Sequence, residues 1–340
     1  MLIGLAYTKP GDNQDIVFKA FKEGLKAHGD SFRDIRYFQD LRHVHDCDAV
    51  VMVSYPDIAS YNYKFSDEAQ MSRRRHYSIV NDFRVQIYQK CAVNKKRLLC
   101  IDSGVLNFER GRAVENNTYQ MGWDCIKGLG RYYNENSPPD RWNLLNKELK
   151  PWRFEGNYIL VFGQVQFGVG SQHIDIDKWY KDVIFAILNK SKATQVVIRL
   201  HPNDQDWPFP TKENINFKFV SPKVDLLEHL KGAKVSVSFT SHAIVQSVLE
   251  GVPSFCCSKA SMGYPLFYTN SVADVVDNRT NMPSREDTLQ WLYNLAYTQW
   301  NVTEIKEGLP WNHLRKHVRD TDVRFDNMLS VVQLSPVSSS

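Results

Sequence analysis

The sequence predicts an α/β protein built from two doubly wound parallel-sheet domains in series. Three observations lead there. Apolar, strand-like runs alternate with helical patterns through the first half of the chain, a Pro-rich stretch then breaks the alternation, and a second strand–helix series starts beyond it.

Leu2 to Tyr7 is an apolar run that ends in the turn cluster Thr8-Lys9-Pro10-Gly11-Asp12-Asn13. From Ile16 to His28 apolar residues recur at helical spacing and stop at Gly29. Asp48 to Val53 reads as a buried strand, about Ile79 to Cys91 as a helix, and Leu98 to Ile101 as a third strand. Asn134 to Asp140 carries Pro138-Pro139 and cannot continue either element, because proline lacks the backbone donor both need. The second series runs through strands at Tyr158–Phe162, Gln195–Leu200, Phe217–Val220, Lys234–Phe239 and Pro253–Cys257. Helices are expected at Asp175–Leu188, Val224–Leu230, Ser241–Glu250 and beyond Arg285. The expected domains are 1–150 and 151–305, both Rossmann-like. Residues 306–340 are expected to form helices packing back toward the first domain and a disordered Ser-rich tail.

Composition narrows the class. Of 340 residues, 43% are hydrophobic and 24% charged, the balance of a folded globular chain. No apolar stretch approaches the ~18 residues of a membrane span, so no stable membrane association is expected. The apolar start lacks a basic lead-in and reads as a strand, which predicts a cytoplasmic protein. Six cysteines show no CxxC pair and no disulfide framework, and no metal site is predicted. The net charge of +4 permits an anionic partner without demanding one.

Ligands of open parallel sheets bind beyond the carboxyl ends of strands, so the residues just past each strand carry the functional information. After Phe162 comes Gly163-Gln164, opening a glycine-containing segment that runs to Gln172 and lets backbone approach a phosphate; an ordinary βα turn explains it equally well. Arg199 precedes Leu200-His201-Pro202, natural donors to a diphosphate or a base edge, although a lone strand-end His is often structural. Thr240-Ser241-His242 opens a helix, a ready anion site that simple capping also accounts for. That helix ends at Glu250, where a carboxylate opposes the dipole unless it has a partner, and a ribose hydroxyl would serve.

His201-Pro202 and Thr240-Ser241, in this order on successive strand ends, resemble the HP and S-S/T motifs of GT-B glycosyltransferases, in the group holding bacterial sialyltransferases and capsule Kdo transferases. The resemblance implies two Rossmann-like domains facing each other across a cleft, with a nucleotide-sugar on the second and no resident cofactor. The group's acidic motif in the first domain is similar to Ile101-Asp102-Ser103-Gly104, which implies Asp102 as catalytic base, with one acid of the motif replaced by Ser103. A turn aspartate before Gly104 is the competing account, and Asp12 is the reserve base.

More locally, Asn136 to Trp142, Gly163-Gln164, Arg199 to Pro202, Ser261 to Pro265 and Leu295 to Trp300 resemble a family of phage-encoded glycosyltransferases. Some T4-like phages use such enzymes to decorate hydroxylated cytosine in their own DNA. This resemblance implies a UDP-sugar donor, UDP-arabinose or UDP-glucose, and double-stranded DNA as partner. The residues available to hold DNA are Arg73, Arg74 and Arg75, interleaved with aromatics, and Lys95 and Lys96. A solvated helix face explains the basic cluster as well. Transfer to a capsule or lipopolysaccharide sugar, a nucleotide-sugar epimerase and a non-enzymatic nucleic-acid-binding module remain open alternatives.

Overall fold

The computed structural model describes residues 1–8, 12–56, 79–109, 112–164, 175–191, 194–202, 216–277 and 280–320. The chain forms two compact units, one of Met1–Glu135 with the chain from Tyr297 onward, the other Asn136–Ala296.

The first unit opens with β1 (Leu2–Ala6) and α1 (Asp12–Ala27), whose apolar face Val17, Phe18, Phe21 and Leu25 is buried. Helix α1 stops where predicted. Gly29 takes a φ of +71°, its N–H bonds Lys26 O, and Asp30 N–H bonds Leu25 O, the paired bonds of a glycine-terminated helix. β2 (Ser31–Ile35), β3 (Ala49–Val53), α2 (Ile79–Val93), β4 (Arg97–Ser103) and β5 (Thr118–Trp123) follow.

The second unit begins earlier than expected, with α3 (Asp140–Leu144). Its sheet is β6 (Tyr158–Phe162), β7 (Gln195–Arg199), β8 (Phe217–Val220), β9 (Ala233–Ser238) and β10 (Ser254–Cys256). The helices are α4 (Ile176–Lys190), α5 (Leu226–Lys231), α6 (Ala243–Leu249), α7 (Asp274–Asp277) and α8 (Arg285–Ala296). Every pairing is parallel, in the order β10-β9-β6-β7-β8. Numbered within the unit, this is the doubly wound order 3-2-1-4-5. Ile159 and Val161 of β6 enter one apolar layer, Leu160 and Phe162 the other, so both faces are covered.

The boundaries fall at 136 and 296, not at 150 and 305, for two reasons. The stretch before Pro151 packs on α8: Ser137 N–H bonds Asn294, Arg141 bonds Ala296 O and Arg285 bonds Leu149 O. Past α8 the chain returns to the first sheet as β11 (Gln299–Asn301), then α9 (Val302–Lys306) and α10 (Leu309–Leu314). Ile305, Trp311 and Leu314 enter the same core as Phe18 and Trp123.

The first sheet has the order β11-β5-β4-β3-β1-β2. Its four strands β4-β3-β1-β2 are parallel, but β5 runs antiparallel to both β4 and β11. At the amino end of β4 the fully buried Arg97 donates to both carboxylate oxygens of Asp124, to the Tyr133 hydroxyl and to the His317 carbonyl. A second hub is Asp30, which accepts from Trp311 Nε1 at 2.7 Å and pairs with the Met1 amino group and with Arg315. Burial alone would raise the Asp30 pKa; the amino group, Trp311 and Arg315 outweigh it and hold the carboxyl below its ordinary value.

Candidate functional site

In the second unit the order of strands reverses between β6 and β9, and that gap is the switch point where doubly wound sheets bind ligands. With β7 on the other flank of β6, the tips carrying Ser241, Gly163 and His201 stand side by side. Gly163 N–H bonds Arg199 O at 2.7 Å, and a Cβ on Gly163 would lie 2.6 Å from both Arg199 O and His201 N. Only glycine lets the two tips close to this separation.

Across the switch point, buried Thr240 donates its hydroxyl to Gln164 Oε1 at 2.9 Å. Gln164 N–H in turn bonds the Tyr180 hydroxyl of α4 at 2.7 Å, so the β6 tip is held from both sides. Ser241 N–H bonds Ser238 Oγ at 2.8 Å, and half-buried Ser241 presents its own hydroxyl at the entry to α6, against Ala243 N at 3.4 Å. His242 is the half-buried residue just before α6. Residues 165–174, which hold the other glycines of the predicted segment, lie outside the described residues.

In the first unit half-buried Asp102 is the penultimate residue of β4, toward its carboxyl end, and accepts from Ser103 N at 2.9 Å. It is directly paired with Gln120 of β5, so the two side chains share a face. Burial raises the Asp102 pKa, opposed by Lys127, the Ser103 amide and Arg84. Asp12 falls in the first turn of α1, but its side chain lies outside what the structure describes. Among the described residues no group of His, Cys, Asp and Glu is arranged to hold a metal ion. Burial raises the Cys47 thiol to about 11 and the Cys125 thiol to about 12, which makes both inert packing groups at neutral pH.

No protein-family model matches the chain, and no curated protein matches it. Among solved structures it is similar to the β-Kdo 2,4-transferase KpsC of Thermosulfurimonas dismutans, at 11% identity and a TM-score of 0.54, covering 91% of this chain and 98% of that one. It is also similar to the β-Kdo 2,7-transferase KpsC of that organism, at 11% identity, a TM-score of 0.45 and coverage of 93% and 100%. The first of these carries the comparison of folds. The fold is GT-B.

Not every residue read from the sequence serves the strand tips of this GT-B chain. The Arg199 guanidinium donates to the carbonyls of Ser221, Pro222 and Val224 and meets His229 Nδ1 at 3.2 Å. Through its two terminal nitrogens it secures the turn between β8 and α5. Glu250 pairs within the chain with Lys150, 2.5 Å away. Helix α6 runs back along the sheet for seven residues, about 10 Å, which sets Glu250 well away from Ser241. Lys95 and Lys96 precede β4, at its amino end. Five residues of strand, about 16 Å, separate Arg97 from Asp102 at the other end, so the lysines are remote from the proposed base. Arg73, Arg74 and Arg75 lie outside the described residues.

Sequence reasoning missed Tyr180, Ser238, Arg84 and Lys127. Tyr180 and Arg84 lie inside helices, Lys127 in the connection after β5 and Ser238 at the last position of β9, where only tertiary contact reveals them. No helix among the described residues is long and apolar enough to cross a membrane.

Proposed function

We propose that this chain is a glycosyltransferase that moves a sugar from a nucleotide-diphosphate sugar to a hydroxyl acceptor. The donor is a UDP-sugar bound on the second unit against Gly163, Gln164, His201, Thr240, Ser241 and His242. The Ser241 hydroxyl, at the entry to α6, donates to the diphosphate as charge develops on it. Asp102 of the first unit takes the proton from the attacking hydroxyl, a contribution of ~10²–10⁴-fold for a well-set base. The observation that carries this reading is the Thr240–Gln164 bond, which joins two of the motif positions across the switch point.

The acceptor proposed here is hydroxymethylated cytosine in double-stranded DNA, with arabinose or glucose as the sugar and the cytoplasm as the compartment. It is supported by the local motifs around Gly163-Gln164, Arg199 to Pro202 and Ser261 to Pro265. A duplex acceptor would present the target base flipped out of the stack. A second reading, transfer to a capsule or lipopolysaccharide sugar, is favoured by the likeness to a Kdo transferase.

One experiment decides between them. The protein is incubated with hydroxymethylated DNA, with a carbohydrate acceptor, and with a panel of nucleotide-sugars, and the products are read by mass spectrometry. A sugar-sized mass gain on one nucleoside is the expected result. Gain on the carbohydrate alone would select the second reading, and DNA binding without any product would refute transfer.

A further inference from the structure

Every backbone N–H in the turn that leaves Asp102 has an acceptor. Ser103 N–H bonds the Asp102 carboxylate and Gly104 N–H bonds Thr118 O, each at 2.9 Å. Val105 N–H and Leu106 N–H both bond a single atom, Oε1 of Gln299, at 2.9 and 3.0 Å. Gln299 is buried and belongs to β11, so it reaches Val105 from 194 residues along the chain. An amide oxygen offers two lone pairs, and the two peptide N–H groups take both. The Thr118 hydroxyl, 3.0 Å from Gln299 Oε1 and from Asn107 O, has the second oxygen to donate to.

The same turn is held by its carbonyl. Buried Gln120 donates its Nε2–H to Ser103 O at 2.8 Å. Gln120 of β5 is in register with Asp102 of β4 on one side and with Gln299 of β11 on the other, so the three residues form one row across the sheet. No side chain fits at position 104: a Cβ there would lie 2.6 Å from Gln299 Oε1 and would strike Thr118. The close approach of Gln299 is the reason this acidic motif needs its glycine.

Among the described residues Asp102 has one hydrogen-bond anchor, the Ser103 N–H. The orientation of that peptide aims the carboxylate, and Gln120, Thr118 and Gln299 fix the chain on its far side. We propose that Gln299 is a positioning residue for Asp102, holding the turn after β4 so that the carboxylate meets the proton of the acceptor hydroxyl. The proposal rests on the reading of Asp102 as base given above. A base owes its rate to being held in place, and a displacement of about 1 Å costs about 10²-fold. What Gln299 contributes is an acceptor, so a side chain of similar length without one releases the turn.

The test uses the full chain with UDP-glucose and hydroxymethylated duplex DNA, or whichever pair of the panel above gives product, at the pH optimum of each variant. Gln299→Met removes the accepting oxygen, and Gln299→Glu keeps it. In Gln299→Met, amide hydrogen exchange should speed up in residues 103–106 and stay unchanged in Tyr158–Phe162 of the second unit. There kcat should fall ~10–100-fold, with donor KM and UDP affinity unchanged. Gln299→Glu should recover part of the lost kcat. In the double variant with Asp102→Asn, kcat should fall no further than in Asp102→Asn alone, because both changes act through one carboxylate. Trp311→Phe, which loses a hydrogen bond elsewhere in the same unit, controls for general loosening and should keep kcat. Should Gln299→Met fail to fold, Gln299→Asn takes its place, since the shorter side chain withdraws the oxygen from the turn.

Unchanged exchange in residues 103–106, unchanged kcat once the turn is loosened, no recovery in Gln299→Glu, an equal loss in Trp311→Phe, or additive losses in the double variant would overturn the proposal. Normal turnover in Asp102→Asn would instead remove the base, and the positioning role with it. No product from the parent chain with any pair would overturn the function itself.

Discussion

Thr240 and Gln164, each two residues past the end of a strand of one sheet, are joined by a buried 2.9 Å hydrogen bond across the point where the strand order reverses. Thr240→Val keeps the shape but leaves Gln164 Oε1 without its donor, which costs about 1–3 kcal/mol of stability. It should also free the β6 tip and weaken nucleotide binding. Denaturant melts and calorimetry with UDP check both, and an unchanged Kd would remove this bond from the donor site.

Asp102 gives a pH signature. Its pKa is raised, burial being the largest cause, and a base works only when ionised. The acid limb of kcat/KM should therefore lie above the ordinary aspartate value of about 3.9, with activity gained as pH rises. Lys127→Asn removes a cation that favours the carboxylate, so the limb should move to still higher pH; Asn also tolerates the left-handed backbone at this position. Asp102→Asn should lower kcat by ~10²–10⁴ with donor affinity intact. A limb that stays put in Lys127→Asn would separate the two residues.

Asp30 predicts sensitivity to acid. Its folded pKa is held below the unfolded value, so the stabilisation is fully present above the unfolded pKa of about 3.9 and is lost as pH falls through the folded one. Trp311→Phe deletes a donor to this carboxylate and should cost about 1.5–3 kcal/mol at neutral pH. Urea melts repeated in acid should show the gap between variant and parent closing.

Arg97→Met leaves Asp124 buried without its cation. Loss of one partner of such a pair costs about 3–5 kcal/mol. The double variant Arg97→Met with Asp124→Leu should recover a large part of that loss in thermal melts. Additive destabilisation would mean that Tyr133 and the His317 carbonyl, not Asp124, are the partners that matter.

Much of the second unit was legible in the sequence. Tyr158–Phe162 coincides with β6, because a continuous apolar run marks a strand buried on both faces, and Phe217–Val220 coincides with the edge strand β8, where exposed Lys218 interrupts the apolar residues. β2, with Arg33 and Asp34 inside it, and β5, with Gln120, escaped notice because polar residues interrupt the pattern. Their polar side chains are satisfied by tertiary partners that no local window contains: Asp34 by Lys22, Gln120 by Tyr132 and the Lys127 amide. Gly163, His201, Thr240 and Ser241 lie just beyond the ends of β6, β7 and β9, as the strand-tip rule expects of them. The partners that Glu250 and Arg199 have within the chain, a lysine and several carbonyls, come from segments distant in sequence and were not legible.

The return of β11 to the edge of β5 carries a consequence for biosynthesis. A ribosome releases the whole second unit, residues 136–296, before it releases the strand and helices that complete the first. Until then Phe18, Phe21 and Trp123 lack Trp311 and Leu314, and the β5 edge is unpaired. The later-encoded half is thus free to mature first, while the amino-terminal half waits for the chain to finish. A nascent chain stalled after Ala296 should show protease resistance in the second unit alone.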